Sequence, residues 1–169
     1  MTVNKIEVRN VYKVFGNREK AVLAMIRAGK SKDQVLAETG CVVGINDISL
    51  SIRAGEVFVI MGLSGSGKST LVRHLNRLID PSSGQILVDG EDILDYDMPA
   101  LRHFRRHKIS MVFQNFGLLP HRNVLDNVAY GLKVRGESVA QCQQRALHWI
   151  SVVGLQGYEQ VFIHQLSGG

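Results

Sequence analysis

Cysteine is scarce in this sequence. Cys41 and Cys142 are the only two in 169 residues, and they lie far apart. Neither has a His or Cys beside it at metal-ligand spacing, so the chain offers no disulfide framework and no zinc cluster. Both read as small apolar side chains buried in a protein of a reducing compartment. Long hydrophobic runs are also lacking. The longest, VFVIM, falls far short of the ~20 residues a membrane-spanning helix needs, and the opening MTVNKIEVRN has no apolar core of the signal-peptide kind. The expectation is a soluble, cytoplasmic chain. No internal repeat or low-complexity linker appears. The formal charge of +5 permits a phosphate-bearing ligand or an acidic surface without demanding nucleic acid.

What is present suffices for one folded domain, since 45% of the residues are hydrophobic. Residues 5–15, KIEVRNVYKVF, alternate in part and carry β-branched and aromatic types, which predicts a strand closed by Gly16. A helix follows from Arg18 to Gly29, with Ala21, Val22, Met25 and Ile26 on one face. A second starts at Ser31, where Gln34 completes a capping box, and Gly40 stops it. Residues 45–53, INDISLSIR, alternate again. EVFVIMG then reads as a strand buried on both faces. In the helix after it, Leu71, Val72, Leu75, Leu78 and Ile79 form a stripe. QILVDGEDI predicts a short strand entering a turn, LRHFRRHK a basic helical connection, and KISMVFQ another buried strand. Helices are expected over 122–134 and 138–153. Ser138 and Gln141 cap the latter, Gly154 ends it, and Val139, Cys142, Ala146, Trp149, Ile150 and Val153 face inward.

The segment GLSGSGKST, residues 62–70, carries the chemistry. Gly62, Ser64, Gly65, Ser66 and Gly67 are small enough for the backbone to wrap closely round phosphates, so that N–H groups and the positive end of the next helix meet the anion. Lys68 brings a mobile charge to the outer phosphates. The Ser69 hydroxyl can replace a water on Mg²⁺, and Thr70 continues the loop into the helix. The motif lies between an apolar strand and an amphipathic helix, which is the setting this mechanism requires. It implies ATP-type phosphate binding with Mg²⁺ arriving on the nucleotide.

The remaining motifs narrow the reading. KVFG at 13–16, the phosphate loop, SGQILVDGEDI at 83–93, MVFQ at 111–114 and LSGG at 166–169 occur in the order and spacing of ABC ATPases, which the chain resembles throughout. That resemblance implies an α/β P-loop NTPase core, truncated, with an N-terminal antiparallel β part and a helical insert. The expected parts of this partial ATP-binding domain are the insert at 17–44, the β and phosphate-loop core at 45–121, and the start of a helical subdomain at 122–169. By resemblance, Phe15 stacks on adenine and Gln114 reaches the metal and the attacking water. Ser167, Gly168 and Gly169 bind the γ-phosphate held by a second subunit. The insert NREKAVLAMIRAGKSKDQVLAETG and the segments around the phosphate loop and MVFQ are similar to the glycine betaine/proline betaine uptake subgroup. The resemblance therefore implies a head-to-tail pair of ATP-binding subunits at the cytoplasmic face of the plasma membrane. The pair would drive a membrane-spanning permease and, indirectly, a periplasmic or lipid-anchored substrate-binding protein, without nucleic acid.

Hydrolysis needs a carboxylate to hold Mg²⁺ and a second to polarise water. The family places both downstream of LSGG, so the sequence suggests a truncated chain with exposed apolar strand faces that binds nucleotide weakly and does not turn it over. Asp89 is no substitute, because Asp89-Gly90 reads as a hairpin turn, and His121 and His164 do not match the family's sensor histidine. Three other readings stay open at this stage. AMIRAGKSKDQVLAETG, with Arg27, Lys30 and Lys32, has a helix-turn-helix look, blunted by Asp33 and Glu38. The others are a non-transport ABC ATPase and a nucleotide-binding regulator. The basic LRHFRRHK reads as a solvated helix face.

Overall fold

Two long strands form the frame of the N-terminal part. β1 (Asn4–Phe15) and β2 (Val42–Arg53) pair antiparallel, with Phe15 opposite Val42 at one end and Asn4 opposite Arg53 at the other. The structure, a computed structural model, describes residues 4–166. These divide into two compact units, with the boundary between Leu101 and Arg102. β3 (Ser83–Val88) joins the other edge of β1, and β4 (Glu91–Asp92) follows it to give the order β2-β1-β3-β4, antiparallel throughout. The β3–β4 connection is the expected hairpin. Asp89 and Gly90 have φ of 53° and 84°, the left-handed pair that a tight turn between twisted strands requires.

The insert folds as two helices, α1 (Glu19–Arg27) and α2 (Lys32–Thr39). The sequence signals for α2 are realised. Ser31 and Gln34 form a reciprocal capping box, and Gly40 ends the helix at φ 69°. The insert is anchored by a cluster in which Val22, Leu23 and Val35 pack with Val14, Cys41 and Val43 of the strand region. Burying each of these valines contributes ~1.5–3 kcal/mol, enough to make the insert part of the first unit's core.

After the phosphate loop, α3 (Lys68–Leu75) ends at Asn76, and Arg77 adopts φ 51°. The helix is therefore shorter than the expected stripe. Leu71 is buried, but Leu78 is 45% exposed because it lies past the break. α4 (Met98–His107) carries the basic segment. In the second unit, α5 (Val124–Arg135) and α6 (Val139–Val152) form a helical hairpin. Asn123 caps α5, and the Ser138–Gln141 box caps α6. Of the six residues expected to face inward from α6 and its C-terminus, Cys142, Ala146 and Ile150 are buried while Val139, Trp149 and Val153 are exposed. Ala129, Leu125 and Leu132 of α5 cover a narrow stripe on α6 spaced by four, and the flanks of the wider periodic face stay in water. Both cysteines are buried and free, as the sequence implied.

EVFVIMG and KISMVFQ are not strands. Val57, Val59, Met61 and Val112 are 89%, 68%, 86% and 89% exposed. A strand of the parallel type buries its two faces only when neighbours supply ladder hydrogen bonds and covering layers. Among the described residues, none pairs with either segment. Their composition is that of central strands, but the apolar exposure falls on irregular segments and not on the strand faces expected from the sequence. No helix among the described residues is long and apolar enough to cross a membrane.

Candidate functional site

Residues 62–67 run from the irregular apolar segment into the N-terminus of α3, with Gly67 as N-cap at φ 93°. Glycine is required there for two reasons. The left-handed backbone penalises a side chain, and a Cβ would stand 2.5 Å from the Gly44 carbonyl oxygen. The loop thus lies directly on β2. Among the described residues, α3 is the one α-helix with neither a capping side chain nor an acid in its first turn. α1 has Glu19, α2, α5 and α6 have Ser31, Asn123 and Ser138, and Asp97 accepts from Ala100 N–H in α4. Its first N–H groups are left for an external acceptor, and the helix dipole favours an anion.

Lys68 bends back over this loop. Its Nζ donates to the carbonyls of Gly62 at 2.8 Å and Leu63 at 2.6 Å, and lies 3.5 Å from Ser66 Oγ. Neutral carbonyls hold the ammonium in place, so an arriving phosphate can recruit it without breaking an ion pair. Ser69 follows, exposed at the first turn, and its hydroxyl has no partner among the described residues. A hard, free oxygen in the first turn of α3 is a donor of the type Mg²⁺ takes. Ser64 and Gly65 are exposed at the loop tip, and Thr70 lies within α3.

A cavity of about 490 Å³ opens over the loop, with Gly62, Gly67, Lys68, Gly44 and Ile45 in its wall. Gly44 also receives Phe15, since a Cβ there would fall 2.6 Å from the Phe15 ring. Phe15 is 40% exposed at the end of β1, beside the cavity wall, and the Lys13 ammonium sits 5.5 Å from its ring centroid. Besides Lys68, the wall includes a second cation that sequence reasoning did not assign to the site, Lys32 from the insert. No motif marks it. The available signal was electrostatic, a lysine in a helix's first turn. Gln114 belongs to the second unit, exposed at the start of the turn 114–117. Ser167, Gly168 and Gly169 lie outside the described residues.

A family model described as ABC transporter matches residues 45–169. The chain belongs to the ABC transporter family. Within that family it is 50% identical to the glycine betaine/proline betaine transport system ATP-binding protein ProV of Salmonella typhimurium, over 98% of this chain and 41% of that protein. It is equally similar to the glycine betaine transport ATP-binding protein OpuAA of Bacillus subtilis, over 98% of this chain and 40% of the relative. It is 49% identical to the trimethylamine N-oxide transport system ATP-binding protein TmoW of Ruegeria pomeroyi, over 97% of this chain and 48% of that one. This ABC transporter chain spans about two fifths of the length of the first two relatives. Among solved structures it resembles the ATP-binding cassette MJ0796, in a dimeric post-hydrolysis state bound to ADP and Pi. The TM-score is 0.75 and the identity 29%, covering 96% of this chain and 63% of that one.

One buried group in the site's helix sets a pH dependence. His74 of α3 is fully buried, and its Nδ1–H donates to the Thr70 carbonyl, a tautomer assigned from that contact, leaving Nε2 without a partner. Burial holds the imidazole below its ordinary value near 6.5. The Thr70 bond opposes this, Lys13 adds to it, and Asp80 opposes it. The folded state therefore refuses a proton that the unfolded chain accepts. Stability is full above pH 6.5 and declines as pH falls below it, with a slope of at most ~1.4 kcal/mol per unit. Asp126, held below the usual carboxylate range by its bond to Lys133, acts at more acidic pH. Urea midpoints between pH 7.5 and 5 should drop for the native chain and drop less for His74→Leu. Parallel curves would refute this assignment.

Proposed function

We propose that this chain is the nucleotide-binding part of an importer motor, taking up ATP with Mg²⁺ to drive entry of glycine betaine, proline betaine or a related quaternary amine. The observation that carries the reading is the uncapped start of α3 with Lys68 folded over residues 62–67. The close similarity to betaine-system ATP-binding proteins supports the substrate class.

In this reading the first-turn N–H groups of α3 bind the nucleotide's phosphates, and Lys68 swings from its carbonyl partners onto the outer oxygens. Mg²⁺, held by Ser69, would neutralise phosphate charge, and Gln114 is proposed as a metal ligand on the family resemblance alone. Phe15 stacks on the base beside Gly44. Ser167, Gly168 and Gly169 meet the nucleotide of a second subunit, so two chains close head to tail on two ATP molecules. The segment after Gln114 passes the closure to a permease in the plasma membrane, and a substrate-binding protein delivers cargo on the far side. The substrate does not touch this subunit. Residues 17–44, 45–121 and 122–169 serve as insert, nucleotide core and start of the helical part.

The test is transport in the source cell. Deleting the coding region should abolish uptake of labelled glycine betaine in medium of high osmolarity, and the native sequence should restore it where Lys68→Ala does not. Uptake that survives deletion at the native rate, or that Lys68→Ala restores, would sink the proposal.

A further inference from the structure

The insert places a cation on the nucleotide cavity. Lys32 is the first residue of α2 and shares the cavity wall with Lys68 and Gly67. Other basic residues of the insert are engaged elsewhere. Lys30 Nζ bonds both Glu38 oxygens at 2.7 and 2.5 Å, and Arg27 donates to Ser83 Oγ at 3.2 Å while stacking over Tyr12. Arg18 and Lys20 do not line the cavity. The Lys32 ammonium has no ion pair or hydrogen bond among the described residues.

Its position is locally unfavourable. A cation in a helix's first turn opposes the positive end of the dipole, whereas every other choice at this N-terminus suits it. Ser31 and Gln34 make the capping box, and Asp33 supplies the first-turn acid. A residue that breaks the local rule inside an otherwise consistent element points to function. Nor is Lys32 on a loose arm. The cluster joining Val22, Leu23 and Val35 to Val14, Cys41 and Val43 fixes α2 on the strands, so the amine is held near the cavity by a packed element.

We propose that Lys32 is a second nucleotide-binding cation, lent by the insert to the phosphate cavity, where its ammonium meets phosphate oxygens of the bound nucleotide. This rests on the reading of residues 62–70 as the phosphate loop. A lysine suits the role because its compact charge and mobile donors need no fixed geometry at the rim of an open site.

The test uses the 169-residue chain carrying Lys32→Ala, Lys32→Arg, Lys20→Ala or Lys68→Ala, titrated with ATP and with adenosine and melted without ligand. Lys32→Ala should weaken ATP about fivefold, the scale of a partly exposed charge contact, and leave adenosine binding unchanged. Lys32→Arg should stay within about twofold of native, and Lys20→Ala should match native. Without ligand, Lys32→Ala should melt no lower than native, because the dipole clash is relieved. Native ATP affinity in Lys32→Ala, equal loss for ATP and adenosine, or a lowered melting point would each overturn the proposal. If Lys68→Ala also binds ATP like native, the phosphate-loop reading itself has failed. If Lys68→Ala alone loses ATP, that reading stands and only the role of Lys32 falls.

Discussion

Lys68→Ala should raise the dissociation constant for ATP at least 100-fold while leaving the unliganded fold nearly as stable as before. The two effects separate because the ammonium has different partners in the two states. In the free chain it bonds the carbonyls of Gly62 and Leu63, both exposed. When the amine is removed, water replaces it there, at a cost within the ~0.5 kcal/mol typical of surface changes. With nucleotide bound, it would face two or more charged oxygens, each contact worth ~1.5–3 kcal/mol. Two such contacts exceed the ~2.7 kcal/mol that a hundredfold change represents. Calorimetric titration measures the affinity and thermal melting the stability. At ATP a hundredfold above the native constant, native protein gains ~2.7 kcal/mol of protection and the variant gains almost none. Adenosine, having no phosphates, should bind both alike. An ATP affinity reduced only a few-fold would mean that the loop's amides hold the phosphates without this charge.

Features written locally were legible in the sequence. The Ser31–Gln34 and Ser138–Gln141 boxes, the Asp89-Gly90 turn and the stop at Gly40 each depend on a few neighbouring residues, and the structure contains all of them. The glycines, lysine and serine of residues 62–70 are contiguous too, and the structure has them as a loop running into α3. What failed was non-local. EVFVIMG and KISMVFQ have strand composition, but a central strand is a property of its neighbours, and among the described residues none pairs with them. The inward face of α6 was drawn too wide because its width depends on what covers it, and α5 covers only the Cys142 and Ala146 stripe. The helical stripe after the phosphate loop hid the break at Asn76–Arg77. It also passed over His74, a polar residue in a buried position. Lys32 escaped because only tertiary packing brings the insert to Lys68.

Gly67→Ala and Gly65→Ala provide the second large effect, because they separate backbone strain from steric contact within one loop. Both glycines have positive φ, 78° at Gly65 and 93° at Gly67, so each substitution carries ~1–2 kcal/mol of left-handed strain. A methyl at Gly65 meets nothing within 4 Å, whereas one at Gly67 would lie 2.5 Å from the Gly44 carbonyl oxygen. That obstacle is backbone in β2, a strand laddered to β1, and cannot rotate aside as a side chain would. Gly67→Ala should therefore lose ~3 kcal/mol or more, a large share of the ~5–15 kcal/mol that holds a domain folded, against ~1 kcal/mol for Gly65→Ala. Function should fall further than stability. The least costly relief is to lift the loop off β2, which displaces the N-terminus of α3 and Lys68 from the cavity wall. Gly65→Ala should then bind ATP within about tenfold of native while folded Gly67→Ala does not bind it measurably. Urea denaturation and ATP titration of the two variants check both halves, and equal losses would show that the loop does not rest on Gly44.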